Sequence, residues 1–207
     1  MLKHLSGLAR QVLSATRTLS IVALFTSLII SSDYAMASIP NVKLLDTLVF
    51  ASAYSFGFKI GAYIAVLSEL IWGLVSPWGG PSYIVPFLIV GELIYAFAGW
   101  GASRIWGNQL KNFSREGIYF GAIISICAFL WDTFTNFGTA LPFIWNHLTF
   151  AAFIPFELFA LWFMFNHEVG DLVLGSIFAP LAINYLTRIV PKLAGARGQK
   201  LDELQRV

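Results

Sequence analysis

Cysteine is almost absent: among 207 residues only Cys127 occurs, inside an apolar run. An internal disulfide framework and a cysteine-rich metal centre are thereby excluded, and a small packing residue is the simplest role for Cys127. Charge is scarce too, since Asp, Glu, Lys and Arg make up 12% of the chain. Short segments of alternating polarity are missing, which argues against a strand-built membrane barrel. The motifs of several chemistries are also missing. There is no G-x-x-x-x-G-K-[ST] phosphate loop, no H-E-x-x-H helix, no G-x-S-x-G elbow and no evident Cys–His pair. No enzyme is expected, and uphill work would draw on another subunit or an ion gradient.

What is abundant is apolar surface. Hydrophobic residues form 57% of the chain and the mean hydropathy is +0.74, too apolar for a surface kept in water. The runs are continuous, as in Leu19 to Ile30, Tyr83 to Trp100 and Tyr119 to Trp131. A spanning helix takes roughly 20 apolar residues, so the chain has room for about six. The expected fold is an all-α, multi-pass integral membrane protein, a six-helix transmembrane bundle in the cell membrane. Spans are expected at about 17–32, 43–57, 59–76, 84–104 and 117–138, with a last apolar region over 143–190. Residues 1–16 read as an amphipathic interfacial N-terminus, 17–190 as the transmembrane domain and 191–207 as a basic tail. Trp78, Trp100, Trp106 and Trp145 are candidates for an interfacial belt.

The last region is long enough for two crossings or one, and the basic residues choose between them. With both ends cytoplasmic and one final crossing, Lys3, Arg10, Arg17, Lys59, Arg104, Lys111, Arg115 and the basic C-terminus all lie inside. Lys43 is then the exception among thirteen basic residues. An extra crossing would put the basic C-terminus outside. The stretch around 142–158, interrupted by Pro142 and Pro155, is accordingly expected to be an outer-face re-entrant or interfacial helix. Ala35-Met36-Ala37 also resembles a signal-peptide cleavage site, but the apolar stretch begins late, after Arg17, which favours a retained first span.

Ionisable groups are costly in a bilayer and default to functional candidates. In this topology Asp46 starts the second span and Glu69 lies in the outer half of the third. Glu92 sits about two turns into the fourth, Asp132 near the outer end of the fifth, and His167, Glu168 and Asp171 in the outer half of the last. Their asymmetry suggests a cavity open to the outside. Helical spacing puts Asp132 with Thr135 and Asn136, His167 with Asp171, and Glu69 with Trp72 on shared faces. Polar groups beside aromatic plates suit a flat heteroaromatic ligand. Ties between helices are the alternative for Asp132 and Asn136, and satisfied structural pairing is the alternative for Glu69 and Glu92. His167 and Asp171 could share an ion, but His4 and His147 stand at no ligand-like spacing from them, so no metal site is expected. Ala23 and Ser27, extended by Ser20 and Ser31, form a small-residue stripe that admits close approach of another helix.

Three stretches carry a family pattern: Ile39 to Phe50 with Phe56-Gly57, Asp132-Thr-Phe-Thr-Asn136, and Asn166-His-Glu-Val-Gly-Asp171 leading to Phe178-Ala-Pro180. The sequence resembles the membrane-embedded S components of energy-coupling factor transporters over most of its length. The resemblance implies six helices with cytoplasmic ends and high-affinity capture of a vitamin or related micronutrient. It implies docking on a transmembrane coupling subunit powered by cytoplasmic ATPases. On the family pattern Ala23 and Ser27 would meet that subunit, with Ser27 replacing the second alanine of A-x-x-x-A, and the 33–41 loop would cover the ligand. The family often has Asn where this chain has Asp171, a change that bears on ligand charge. The expected substrate-binding residues are Asn41, Asp46, Glu69, Trp72, Glu92, Trp131, Asp132, Asn136, His167 and Asp171, favouring a cationic or donor-rich ring. Membrane lipid is the other partner, and neither a cofactor nor a nucleic acid is expected. An ion-coupled secondary transporter or channel, or a non-transporting scaffold subunit, are the alternatives.

Overall fold

The computed structural model describes the backbone of residues 2–77, 81–107, 110, 113–147 and 149–204, and the side chains of those between 15 and 188 except 147 and 152. Among the described residues there are six α-helices and no strand. These are α1 (Leu2–Met36), α2 (Leu45–Phe56), α3 (Phe58–Val75), α4 (Val85–Trp106), α5 (Phe113–His147) and α6 (Phe153–Leu204), with single 3-10 turns at Ser82–Ile84 and Phe150–Ala152. Five of them, all except α2, hold stretches long and apolar enough to cross a membrane. The chain is a multi-pass membrane protein.

Local chemistry explains where the helices stop. Gly57 and Gly107, at φ 88° and 72°, take backbone angles that an L side chain resists. Their N–H groups bond the carbonyls of Ala53 and Ser103 and close α2 and α4. Only Gly57 separates α2 from α3, so the two form a tight antiparallel hairpin. Helices α2 and α4 both end at one pole of the bundle, where the Tyr54 hydroxyl donates to the Gly107 carbonyl at 2.6 Å. At the opposite pole the ends of α1 and α3 meet through the Tyr34 hydroxyl and the Val75 carbonyl. There Tyr83, just before α4, reaches the Thr139 carbonyl of α5.

Helix α2 is the axis of the fold. Its residues from Leu45 through Tyr54 are all buried, beneath Ile64 of α3, Tyr95 and Ala96 of α4 and Phe120 and Ile124 of α5. Close approach explains its small residues and its neighbours' glycines. A Cβ at Gly99 of α4 would overlap the Phe50 carbonyl, and one at Gly61 of α3 would overlap Ala53. Large side chains such as Leu19, Leu24, Phe97, Ile118, Ile126 and Phe159 point outward instead, as expected when the surrounding solvent is hydrocarbon.

Two expectations change. The span expected over 43–57 is helical only over Leu45–Phe56; its 12 residues rise about 18 Å, short of the roughly 30 Å hydrocarbon layer. Residues 142–158 are no separate re-entrant or interfacial helix. Helix α5 continues through Pro142 to His147, a turn follows, and α6 starts at Phe153. Pro155 falls in the first turn of α6, where its missing N–H has no intrahelical acceptor to lose. The backbone runs unbroken across 16/17 and 190/191; the three-part division of the chain is one of composition.

Candidate functional site

The loop joining α1 to α2 turns back into the bundle because Asp33, in the last turn of α1, accepts the Leu44 N–H at 3.0 Å. Within that loop Asn41 stands at φ 58°, a left-handed conformation that Asn tolerates better than most residues. Its amide donates to Asp132 Oδ1 at 3.3 Å and to the Phe163 carbonyl at 3.2 Å. The loop is thus tied to α5 and α6. Val42 packs against Gly170 of α6, which leaves room for it. Asn41→Gly should keep the turn and lose the two amide bonds, whereas Asn41→Val adds about 1–2 kcal/mol of backbone cost. Thermal unfolding in detergent should rank wild type above Asn41→Gly, and Asn41→Val last.

Under this loop lies a cavity of about 320 Å³. Its walls include Asn41 and Lys43 of the loop, Glu69 and Trp72 of α3, Trp131 of α5 and Phe163 of α6. Asp33 also borders it. Trp72 meets Tyr34 edge to face at 5.5 Å, and Gly91 of α4 makes the space that the Trp131 indole fills. Lys43 is nearly buried, with its ammonium 3.5 Å from Glu69 Oε1, 3.7 Å from Asp46 Oδ1 and 4.4 Å from the centre of the Trp131 ring. Burial works against its charge, but the carboxylates of Asp46, Glu69, Glu92 and Asp33 outweigh it and hold the lysine above its ordinary pKa.

Behind Lys43 and Trp131 is a second layer made of ionisable groups. His167 donates or accepts at Nδ1 with Asp132 Oδ2 at 3.0 Å, and its Nε2 lies 3.3 Å from Asp46 Oδ2 and 3.8 Å from Asp171 Oδ2. The Tyr95 hydroxyl donates to that same Asp171 oxygen at 3.2 Å. Glu92, one turn before Tyr95 on α4, is fully buried beside Asp46. Trp131 stands edge-on to the His167 ring at 5.4 Å. Four helices therefore supply one continuous polar layer in an apolar bundle, which is a high-cost arrangement unless its members serve one another or a ligand.

The structure sorts the expected residues into distinct places. Asn41, Glu69, Trp72 and Trp131 line the cavity, while Asp46, Glu92, Asp132, His167 and Asp171 form the layer beneath it. Asn136 joins neither group: its amide donates to Glu157 Oε2 of α6 at 3.3 Å, so it ties helices together. Asp132 is not near a helix end, because α5 continues for fifteen residues to His147. Residues 33–36 belong to α1, so the covering loop begins at Ala37. Ala23 and Ser27 are exposed on α1, beside Leu24 and Leu28. Sequence reasoning missed Lys43 and Tyr95 as members. Lys43 had a signal, as the one basic residue that broke the charge pattern; Tyr95 had none beyond its place one turn after Glu92. No family model matches the chain, and neither a curated protein nor a solved structure does.

Proposed function

We propose that the chain captures a vitamin or related micronutrient from outside the cell, as the substrate-specific subunit of an ATP-driven importer of the energy-coupling type. The cavity beneath the α1–α2 loop carries this reading. Its volume of about 320 Å³ is at the small end of the range for small-molecule sites, about 300–1,000 Å³. Two indoles line it, Trp131 with Lys43 over its ring, and the Trp131 N–H and Asp33 Oδ2 are buried with no hydrogen-bond partner among the described residues. With Lys43 already among the acids, the ligand chemistry it favours is a flat ring rich in hydrogen-bond donors, and a strong cation is not required. The charge pattern of the sequence turns this pole outward and leaves both termini in the cytoplasm. The exposed Ala23 and Ser27 stripe on α1 is the face offered to the coupling subunit.

Titrating purified protein with a panel of vitamins and related heteroaromatics tests this. One compound should bind with a saturable rise in the melting midpoint, since ligand at 100 times its Kd stabilises by about 2.7 kcal/mol. Trp72→Ala should weaken that binding by about tenfold or more, the loss of about 1.4 kcal/mol of contact. A panel without a single binder, even with coupling subunits and ATPases present, sinks the proposal. The buried Asp–His layer favours a second reading, ion-coupled transport by the chain alone. Uptake that follows an ion gradient and ignores ATP would select it.

A further inference from the structure

We propose that Asp46, His167 and Asp171 form a binding site for a divalent transition-metal cation, set beneath the cavity floor. The observation is geometric. Oδ2 of Asp46 and Oδ2 of Asp171 lie 3.3 and 3.8 Å from His167 Nε2, and one ligand atom from each of the three residues falls within 4.8 Å of the others. Ligands about 2.0–2.1 Å from a tetrahedral metal stand roughly 3.3 Å apart, so the imidazole–carboxylate spacings need little contraction.

The surrounding groups point the same way. With Asp132, 3.0 Å from Nδ1, accepting a ring N–H there, a bound metal would take the Nε2 lone pair on the side of the two carboxylates. A carboxylate that orients a histidine in this manner is the usual outer support of a metal-bound imidazole. The Tyr95 hydroxyl plays the corresponding part for Asp171. Independently, Glu92 is fully buried beside Asp46 with neither oxygen hydrogen-bonded, and Asp171 Oδ1 is also unpartnered. These orphaned acceptors are what a nearby cation would satisfy. One imidazole among carboxylates selects the Zn²⁺, Ni²⁺ and Co²⁺ class over Na⁺ or Mg²⁺, which prefer oxygen alone.

The site stands apart from the capture reading: a chain that binds no organic ligand still binds the metal, and one that binds the ligand without metal loses only this inference. The test is titration of the chelator-treated full chain in detergent with Co²⁺, followed by calorimetry and visible absorption. The expected result is one Co²⁺ per chain with a d–d band, displaced by Zn²⁺, and weaker binding as pH falls because protons compete for the ligands. His167→Gln and Asp171→Asn should abolish the band. Asp132→Asn should keep a band of altered intensity and lose about 10–100-fold in affinity, as for an orienting residue. A wild-type melting midpoint unmoved by Co²⁺, an equal response to Mg²⁺, or a band that survives in His167→Gln overturns the proposal.

Discussion

Lys43→Met is expected to destabilise the protein by about 3–5 kcal/mol, the usual cost of removing one partner from a buried ion pair. The lysine has three close neighbours: Asp46, Glu69 and the face of Trp131. Methionine preserves much of the stem's packing but removes the charge, so Glu69, buried in the cavity wall, is left without a counter-charge. The double variant Lys43→Met/Glu69→Gln should lose less than the single one, because the neutral amide no longer needs the ammonium. Equilibrium unfolding of the four proteins in mixed micelles measures the coupling. A double variant as unstable as the sum of its parts would show that Glu69 is not the group Lys43 serves.

The second large effect is at the α5–α6 crossing. Gly117 and Gly121 lie one turn apart on α5, and a Cβ at Gly121 would overlap the Leu172 carbonyl and the Ser176 hydroxyl of α6. Gly175 of α6 returns the contact: a Cβ there would stand 3.1 Å from the Gly121 Cα. Such close approach is how helices gain packing energy in lipid, where apolar side chains have little to gain by leaving hydrocarbon. Gly121→Ala should cost about 1–3 kcal/mol through overpacking, and Gly121→Leu should leave little monodisperse protein by size exclusion. Gly101→Ala, where a Cβ meets nothing within 4 Å, should be tolerated and gain up to about 1 kcal/mol of helix propensity. Equal damage from the Gly101 and Gly121 alanine variants would dismiss the crossing as the cause.

Much of the helical fold is legible in the sequence, because continuous apolar runs have one solution in lipid and glycine marks the ends of α2 and α4. The 142–158 stretch is harder. Its prolines look like interruptions, yet a proline tolerated in a first turn and one tolerated within α5 leave both helices continuous. Helix α2 was legible as apolar but not as short or central, since composition does not separate a residue facing lipid from one facing protein. For the site, spacing paired His167 with Asp171 and Glu69 with Trp72, both of which share a face in the structure. It could not join Asp46 to His167, 121 positions apart, nor tell that Asn136 turns to Glu157. Helical periodicity reports which residues share a face, not which helix lies opposite.

Helix α2 has a further consequence, in biogenesis. Segments entering a bilayer one at a time need enough length and apolarity to remain there alone, and 12 residues fall in the range of buried core helices. Joined to α3 through a single glycine, α2 is held in the membrane by its hairpin partner and reaches its final depth only when α4 and α5 close around it. The order of synthesis therefore leaves Asp46, on the most weakly inserted segment, waiting for Tyr95, Asp132 and His167, all encoded later. Assembly of the polar layer is thus completed only with α6, and a chain arrested before α6 emerges would hold Asp46 in the bundle without its His167 partner.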